Sequence, residues 1–423
     1  MKTRLRYLTF LVILSLSFAA CSPEADQAAS ARVNLGDDPV ATIIEILEMS
    51  DRFDRTDRLI AALREVPVDR PDVLESVMSD LKIPFREFER VLIVTAWAKS
   101  DPEAATKWVM RNERDERSKA TMFNETVYEW ARRDPESLRV DFKVGMYSLR
   151  EWDATMLRAF VRGWYDSGKP DLDDFIRDLR GKNDDRQRAI SELIKNKLAR
   201  EGTDAAIAWV TTLTGDVKYR GYAYSRLAGD ISKTDPLRAV RWCEEICDTK
   251  LGEDLPKWIA SSWVRKDGVA AMDWIMAQSA ESPSVRTGIR ASFRRFQITF
   301  PEESDAWVEG LSEESRLAEK SQGPIIMYAN RQANLNRPDA AMEWTRYIED
   351  AWDRERVFKK IAVQWLRADE EAAEVWLTET TDLDEGVKRE LRDGIRKYKE
   401  QAEKTRKSLA LRPAWFVDPD EVD

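Results

Sequence analysis

Apolar residues recur along this chain at helical spacing. Phe123, Val127 and Trp130 form one such stripe, and Phe358, Ala362 and Trp365 another, each separated by steps of three or four residues. Polar and charged residues occupy the intervening positions, as expected of helices that bury one face and solvate the other. The pattern is punctuated at regular intervals, most clearly in Trp97-Ala-Lys-Ser-Asp-Pro-Glu-Ala-Ala-Thr-Lys-Trp108. Proline disfavours the α conformation in the residue before it, so a first helix must stop near Ser100. Asp101 is placed to cap the next helix, with Pro102 at its first position, where a missing N–H costs nothing. Glu103 puts negative charge in the first turn.

The same unit repeats down the chain. Second-helix aromatics fall at Trp108, Phe142, Phe175, Trp209, Trp242, Trp274, Trp307, Trp344 and Trp376, at intervals of 34, 33, 34, 33, 32, 33, 37 and 32 residues. The long interval predicts an insertion within Ser312–Pro324. Prolines precede the aromatic by six positions at Pro102, Pro236, Pro301 and Pro338, with Gly268 and Glu370 in that place in two other units. A first-helix ladder runs through Trp97, Trp130, Trp164, Trp263 and Trp365. Alanine pairs such as Ala104-Ala105 and Ala270-Ala271 permit close helix approach. Twelve of the sixteen tryptophans are thereby assigned to packing, and truncating one to alanine is expected to cost about 3–5 kcal/mol.

The period, the Asp-Pro corner, the tryptophan six residues beyond it and a small residue such as Ala131 resemble the tetratricopeptide family, whose unit is a helix pair of about 34 residues. The Leu-Gly pair of that family is replaced by Arg111-Asn112 in the first unit. The resemblance implies an all-α, right-handed α-solenoid of about nine helix-turn-helix repeats of 32–37 residues. A HEAT-type array is the structural alternative. The expected organisation is N-terminal capping helices over 41–90, the repeat array over 91–383, a charged C-terminal helix over 384–407 and a tail over 408–423.

The first forty residues stand apart. Lys2, Arg4 and Arg6 precede an apolar run from Tyr7 to Phe18, then Ala19, Ala20 and Cys21. This reads as a signal peptide over 1–20, with a run too short for a permanent membrane span. Phe18-Ala19-Ala20-Cys21 resembles the bacterial lipoprotein signal, which implies lipid attachment at Cys21. By the same resemblance Ser22 implies sorting to the outer membrane, facing the periplasm. Residues 21–40 read as a flexible tether.

Composition narrows the function. The formal charge of −10 argues against nucleic-acid binding, and basic residues interleave with acids in stretches such as 86–90 and 114–117. The absence of histidine removes the commonest general base and metal ligand. Cys243 and Cys247 lack two further soft ligands for zinc, and regular helix geometry serves an i, i+4 disulfide poorly. Cys243 takes the slot held by Val109, Ile275, Val308 and Leu377 elsewhere, so a buried apolar role is expected. Asp51-Asp54-Asp57 and Asp171-Asp173-Asp174 lack the EF-hand glycine and glutamate and read as helix caps.

Four tryptophans lie outside both ladders: Trp152, Trp258, Trp352 and Trp415. They are candidate binding residues for a peptide or glycan, against the plainer reading that they anchor helix starts. The expectation is a lipid-anchored scaffold for protein–protein interaction in the bacterial cell envelope, with no catalysis, cofactor or metal. The alternative is a lipoprotein that binds glycan or peptidoglycan. Barrel-assembly lipoproteins of tetratricopeptide type resemble the first in architecture, and starch-utilisation lipoproteins the second.

Overall fold

A computed structural model describes residues 33–80, 86–144, 154–179, 183–381 and 383–410. Among them are 23 α-helices and no strand. The chain divides into two compact units that part between Lys169 and Pro170.

The first unit contains α1 (Pro39–Glu48), α2 (Arg52–Glu65), α3 (Pro71–Ser79), α4 (Glu87–Ser100), α5 (Pro102–Asn112), α6 (Glu116–Arg133), α7 (Pro135–Val144) and α8 (Ala154–Ser167). The expected corner is present: α4 ends at Ser100, and the Asp101 carboxylate accepts the Ala104 N–H at 3.0 Å. Pro102 opens α5 and is buried. Helices α4, α6 and α8 pack in succession, with α5 wedged against α4 and α6. Trp97, Trp130 and Trp164 are all buried in this stack. A buried ion pair ties its start together. Arg55 Nε lies 2.8 Å from Glu89 Oε1, and the same guanidinium donates to the carbonyls of Leu47 and Met49 at the end of α1.

The second unit contains α9 (Leu172–Asp178), α10 (Asn183–Arg200), α11 (Thr203–Thr212), α12 (Val217–Ser232), α13 (Pro236–Ile246), α14 (Leu255–Trp263) and α15 (Gly268–Ala277). It continues with α16 (Pro283–Thr299), α17 (Pro301–Glu309), α18 (Glu313–Leu317), α19 (Gln322–Asn334), α20 (Pro338–Thr345), α21 (Ala351–Ala368), α22 (Glu370–Glu379) and α23 (Glu385–Ala410). The residues between α17 and α19, where the long interval predicts extra chain, form α18 and a short 3-10 turn at Glu319–Ser321.

First helices α10, α12, α14, α16, α19 and α21 pack side by side in order. Second helices α11, α13, α15, α17 and α20 each pack on their own first helix and on the next, and α22 packs on α21. A buried cluster runs without a break from Ala260 to Ile361, including Phe293, Phe296 and Ile325. The two ladders meet inside the α14–α15 and α21–α22 pairs. Ring centroids lie 6.3 Å apart for Trp263 and Trp274, and 5.7 Å apart for Trp365 and Trp376, separations at which aromatic pairs attract.

First helices cross where one of them lacks a side chain. A Cβ on Gly288 of α16 would stand 2.9 Å from Lys257 Cα of α14 and 2.7 Å from Ile275 Cδ1. Only glycine allows these backbones so close. Basic side chains near first-helix ends complete the stack from unit to unit. Lys266 Nζ donates to the Thr234 carbonyl at 2.9 Å, and in the first unit Lys169 Nζ donates to the Arg133 carbonyl at 2.9 Å. Each such cation satisfies a terminal carbonyl that has no intrahelical partner.

One sequence expectation is overturned. Cys243 and Cys247 are joined in a disulfide, with Cα atoms 4.9 Å apart, inside the usual range for such bridges. Cys247 follows the last residue of α13 and its N–H still donates to the Cys243 carbonyl at 2.7 Å, so the bridge forms across the final helical turn. Cys243 does fill the expected slot: it is buried, as are Val109, Ile275, Val308 and Leu377. The aspartate clusters divide. Asp51 caps α2 through Phe53 and Asp54 N–H groups, whereas Asp171 makes no side-chain cap and Asp173 accepts an indole N–H from Trp209.

Candidate functional site: the first-helix face of the second unit

Acidic residues in this part of the chain are not interleaved with basic ones. Residues 255–266, 282–301 and 320–338 contain α14, α16 and α19, and none of these segments has an aspartate or glutamate. They carry Lys257, Arg265 and Lys266, then Arg286, Arg290, Arg294 and Arg295, then Lys320, Arg331 and Arg337. Their own second helices, α15, α17 and α20, carry the opposite sign. Helix α17 alone has Glu302, Glu303, Asp305 and Glu309. Stacking the three first helices side by side therefore gathers positive charge on one face of an acidic chain.

Several of these cations are committed to the fold. Lys320 Nζ donates to the Gln278 carbonyl at 2.7 Å, Arg286 to that of Ala280 at 2.8 Å, and Arg331 Nε stands 3.1 Å from Asp305 Oδ1. Arg265, Arg290 and Arg294 are exposed and Arg295 is half-buried. Among the described residues no carboxylate forms an ion pair with any of these four. Arg290 rests its stem over the start of α19, where a Cβ on Gly323 would be 2.8 Å from Arg290 Cγ.

Two candidate tryptophans fall within the described residues. Trp258 projects from α14 on this basic face, 40 % exposed, with Lys257 Nζ 5.5 Å from its ring centroid. Its own Cβ lies near Gly229 of α12, so its stem sits in the seam between two first helices. Trp352 is 70 % exposed in the first turn of α21, beneath the Arg356 guanidinium at 5.4 Å. Trp258 and Trp352 belong to first helices separated by α16 and α19 in the packing order. Trp152, Trp415 and Cys21 lie outside the described residues.

Titratable groups with displaced protonation sit in the packing. Burial, then the nearby Asp173 carboxylate, pushes the Tyr219 phenol well above its ordinary range. Burial, then a hydrogen bond to Glu309, does the same for Tyr328. Asp216, which caps α12 through the Tyr219 N–H, is held below the usual carboxylate range by that bond. The two phenols stay protonated at neutral pH and neither is a ready nucleophile. Among the described residues no group of three or more cysteine, aspartate or glutamate side chains is placed to hold a metal ion. A cleft of about 800 Å³ in the first unit is lined by Arg52, Phe88, Val91 and Thr121, with Glu87 as the single acid among its described lining residues.

The basic face was legible in the sequence as three acid-free segments at the repeat spacing. Local charge averages conceal it, because the intervening second helices restore neutrality within each window. Compared with models of protein families, with curated proteins and with solved structures, the chain matches none of them.

Proposed function

We propose that the chain is a lipid-anchored helical-repeat scaffold that holds a protein partner in the bacterial cell envelope and performs no catalysis. The carrying observation is the row of first helices that presents Arg265, Arg290, Arg294 and Trp258 to solvent with no carboxylate among them. Charge of one sign combined with an exposed aromatic is suited to recognition, since it steers encounter and supplies contact area. In this reading the helix pairs form a right-handed, tetratricopeptide-like α-solenoid of about nine units. Cys21 carries the lipid, the residues between it and the buried Leu35 are the tether, and the body faces the periplasm from the outer membrane. The Cys243–Cys247 disulfide supports a compartment in which thiols are oxidised.

Two measurements test this reading. Metabolic lipid labelling should be lost in Cys21→Ser. Affinity capture of the full chain from envelope extract should return a stoichiometric protein partner, and recovery of none would overturn the scaffold.

The exposure of Trp352 favours a second reading, in which the chain binds glycan or peptidoglycan. Saturable oligosaccharide binding that is lost in Trp258→Ala or Trp352→Ala, with unchanged thermal unfolding, would establish that reading in place of the first.

A further inference from the structure

We infer that α16, with the start and end of α19, is a docking strip for an acidic, extended polypeptide segment bearing an apolar side chain. The inference rests on the scaffold reading and adds the chemistry of the partner. Arg290, Arg294 and Ile298 follow one another at four-residue steps, so they share a face of α16. At the helical rise, this stripe spans about 12 Å. Arg290 and Arg294 are exposed and have no carboxylate partner among the described residues. Guanidinium forks of this kind bind carboxylates in bidentate fashion.

At the far end of the stripe a notch of about 380 Å³ opens between the C-terminal turns of α16 and α19. Ile298 and Leu335 line it and are 76 % and 43 % exposed, flanked by Gln297 and Asn334. Apolar surface beside two unpaired cations asks for a ligand with both characters. An extended chain matches the spacing. Alternate residues of a strand point the same way at about 6.6 Å intervals, close to the interval of about 6 Å between Arg290 and Arg294 along the helix. A segment with carboxylates at two alternate positions and an apolar residue at the third thus meets Arg290, Arg294 and the notch in turn.

A long uniform polyanion fits less well. Exposed Glu302 and Glu303 open α17 immediately beyond α16 and repel negative charge laid past the stripe. A polypeptide can confine its acids to the strip.

The test is titration of the full chain with a fluorescent ten-residue peptide containing Glu-Ser-Glu-Ser-Phe. Controls are a peptide with lysine in place of glutamate, one lacking the phenylalanine, oligogalacturonate and single-stranded oligodeoxythymidylate. Saturable binding of the acidic apolar peptide is expected, weakening as salt rises. It should weaken by about tenfold or more in the Arg290→Glu, Arg294→Glu double variant, and measurably in Ile298→Ser. Arg290→Gln with Arg294→Gln serves should the reversals lower the melting temperature. Equal binding by a folded double variant overturns the inference, as does tighter binding of either the galacturonate or the oligonucleotide. A protein complex captured equally by wild type and double variant overturns the strip and leaves the scaffold standing. Capture of no partner by wild type overturns the scaffold itself.

Discussion

The indole N–H of Trp307 donates to a carboxylate oxygen of Asp273 at 2.8 Å, from one second helix to the preceding one. Trp209 repeats the arrangement with Asp173 at 2.9 Å. In these two units the second-helix tryptophan is a clasp between neighbouring pairs as well as a packing body, and it stays half-buried, whereas Trp242 and Trp344 are buried. Replacing Trp307 by phenylalanine keeps most of the ring contact with Phe293 but removes the donor. In a double-mutant cycle with Asp273→Ala, urea unfolding should give a coupling of about 1 kcal/mol. Coupling indistinguishable from zero would reduce the bond to a surface ornament.

Gly288→Ala should destabilise the second unit by about 1–3 kcal/mol, because the added methyl meets Lys257 Cα and Ile275 Cδ1 at sub-contact distances. Gly221→Ala on α12 is the matched control. Nothing lies within 4 Å of its would-be Cβ, and its φ is not in the left-handed region. That change should stabilise by about 0.5–1 kcal/mol through helix propensity. Thermal unfolding of both variants decides the matter, and a shift of the same sign in each would refute the close-approach account.

Tyr219 links stability to alkaline pH. Its phenol lies above the ordinary value of 10.0 in the folded chain, chiefly through burial. Between that ordinary value and the folded one, only the unfolded chain loses the proton, so stability is intact below pH 10 and declines above it. Tyr219→Phe should flatten part of that decline in denaturant titrations run from pH 9 upward. The Tyr219 hydroxyl is buried without a hydrogen-bond partner among the described residues. At pH 7 the same variant should accordingly be neutral or up to about 1 kcal/mol more stable. A large loss at pH 7 would mean the hydroxyl is satisfied after all.

The disulfide makes a chemical prediction. In the native chain Cys243 and Cys247 should resist alkylation until a reductant is added, after which both should label in peptide mass spectra. Reduction should cost about 1–2 kcal/mol, the small value appropriate to so short a loop. Labelling of Cys247 in protein kept from reductants would show that the bridge is not formed.

What the sequence revealed and what it hid follow from the range of the interactions. Asp101, Pro102, Trp97 and Trp108 announce a helix-turn-helix corner because capping, φ restriction and apolar spacing all act within a dozen residues. The buried slot of Cys243 was legible by superposing units. The bond to Cys247 was not, because i, i+4 spacing on a helical turn argues against a bridge. Gly288 and the reach of Lys266 to Thr234 were hidden for another reason: each matters only once neighbouring first helices are set in register. Trp258 and Trp352 break the ladders in the sequence, and both are exposed. Arg290 and Arg294 are masked in the linear sequence, where the acids of α15 and α17 sit on either side and dilute their charge.

That dilution is only apparent once the chain is folded. The acid-free first helices α14, α16 and α19 beside the acidic second helices α15, α17 and α20 give the second unit a transverse electric dipole that its net charge does not report. Such a molecule turns in a field before it drifts in one. It should be held by a cation exchanger at a pH where its titration curve reads plainly acidic, and a charged neighbour at the same surface would meet an attractive side and a repellent one depending on the direction of approach.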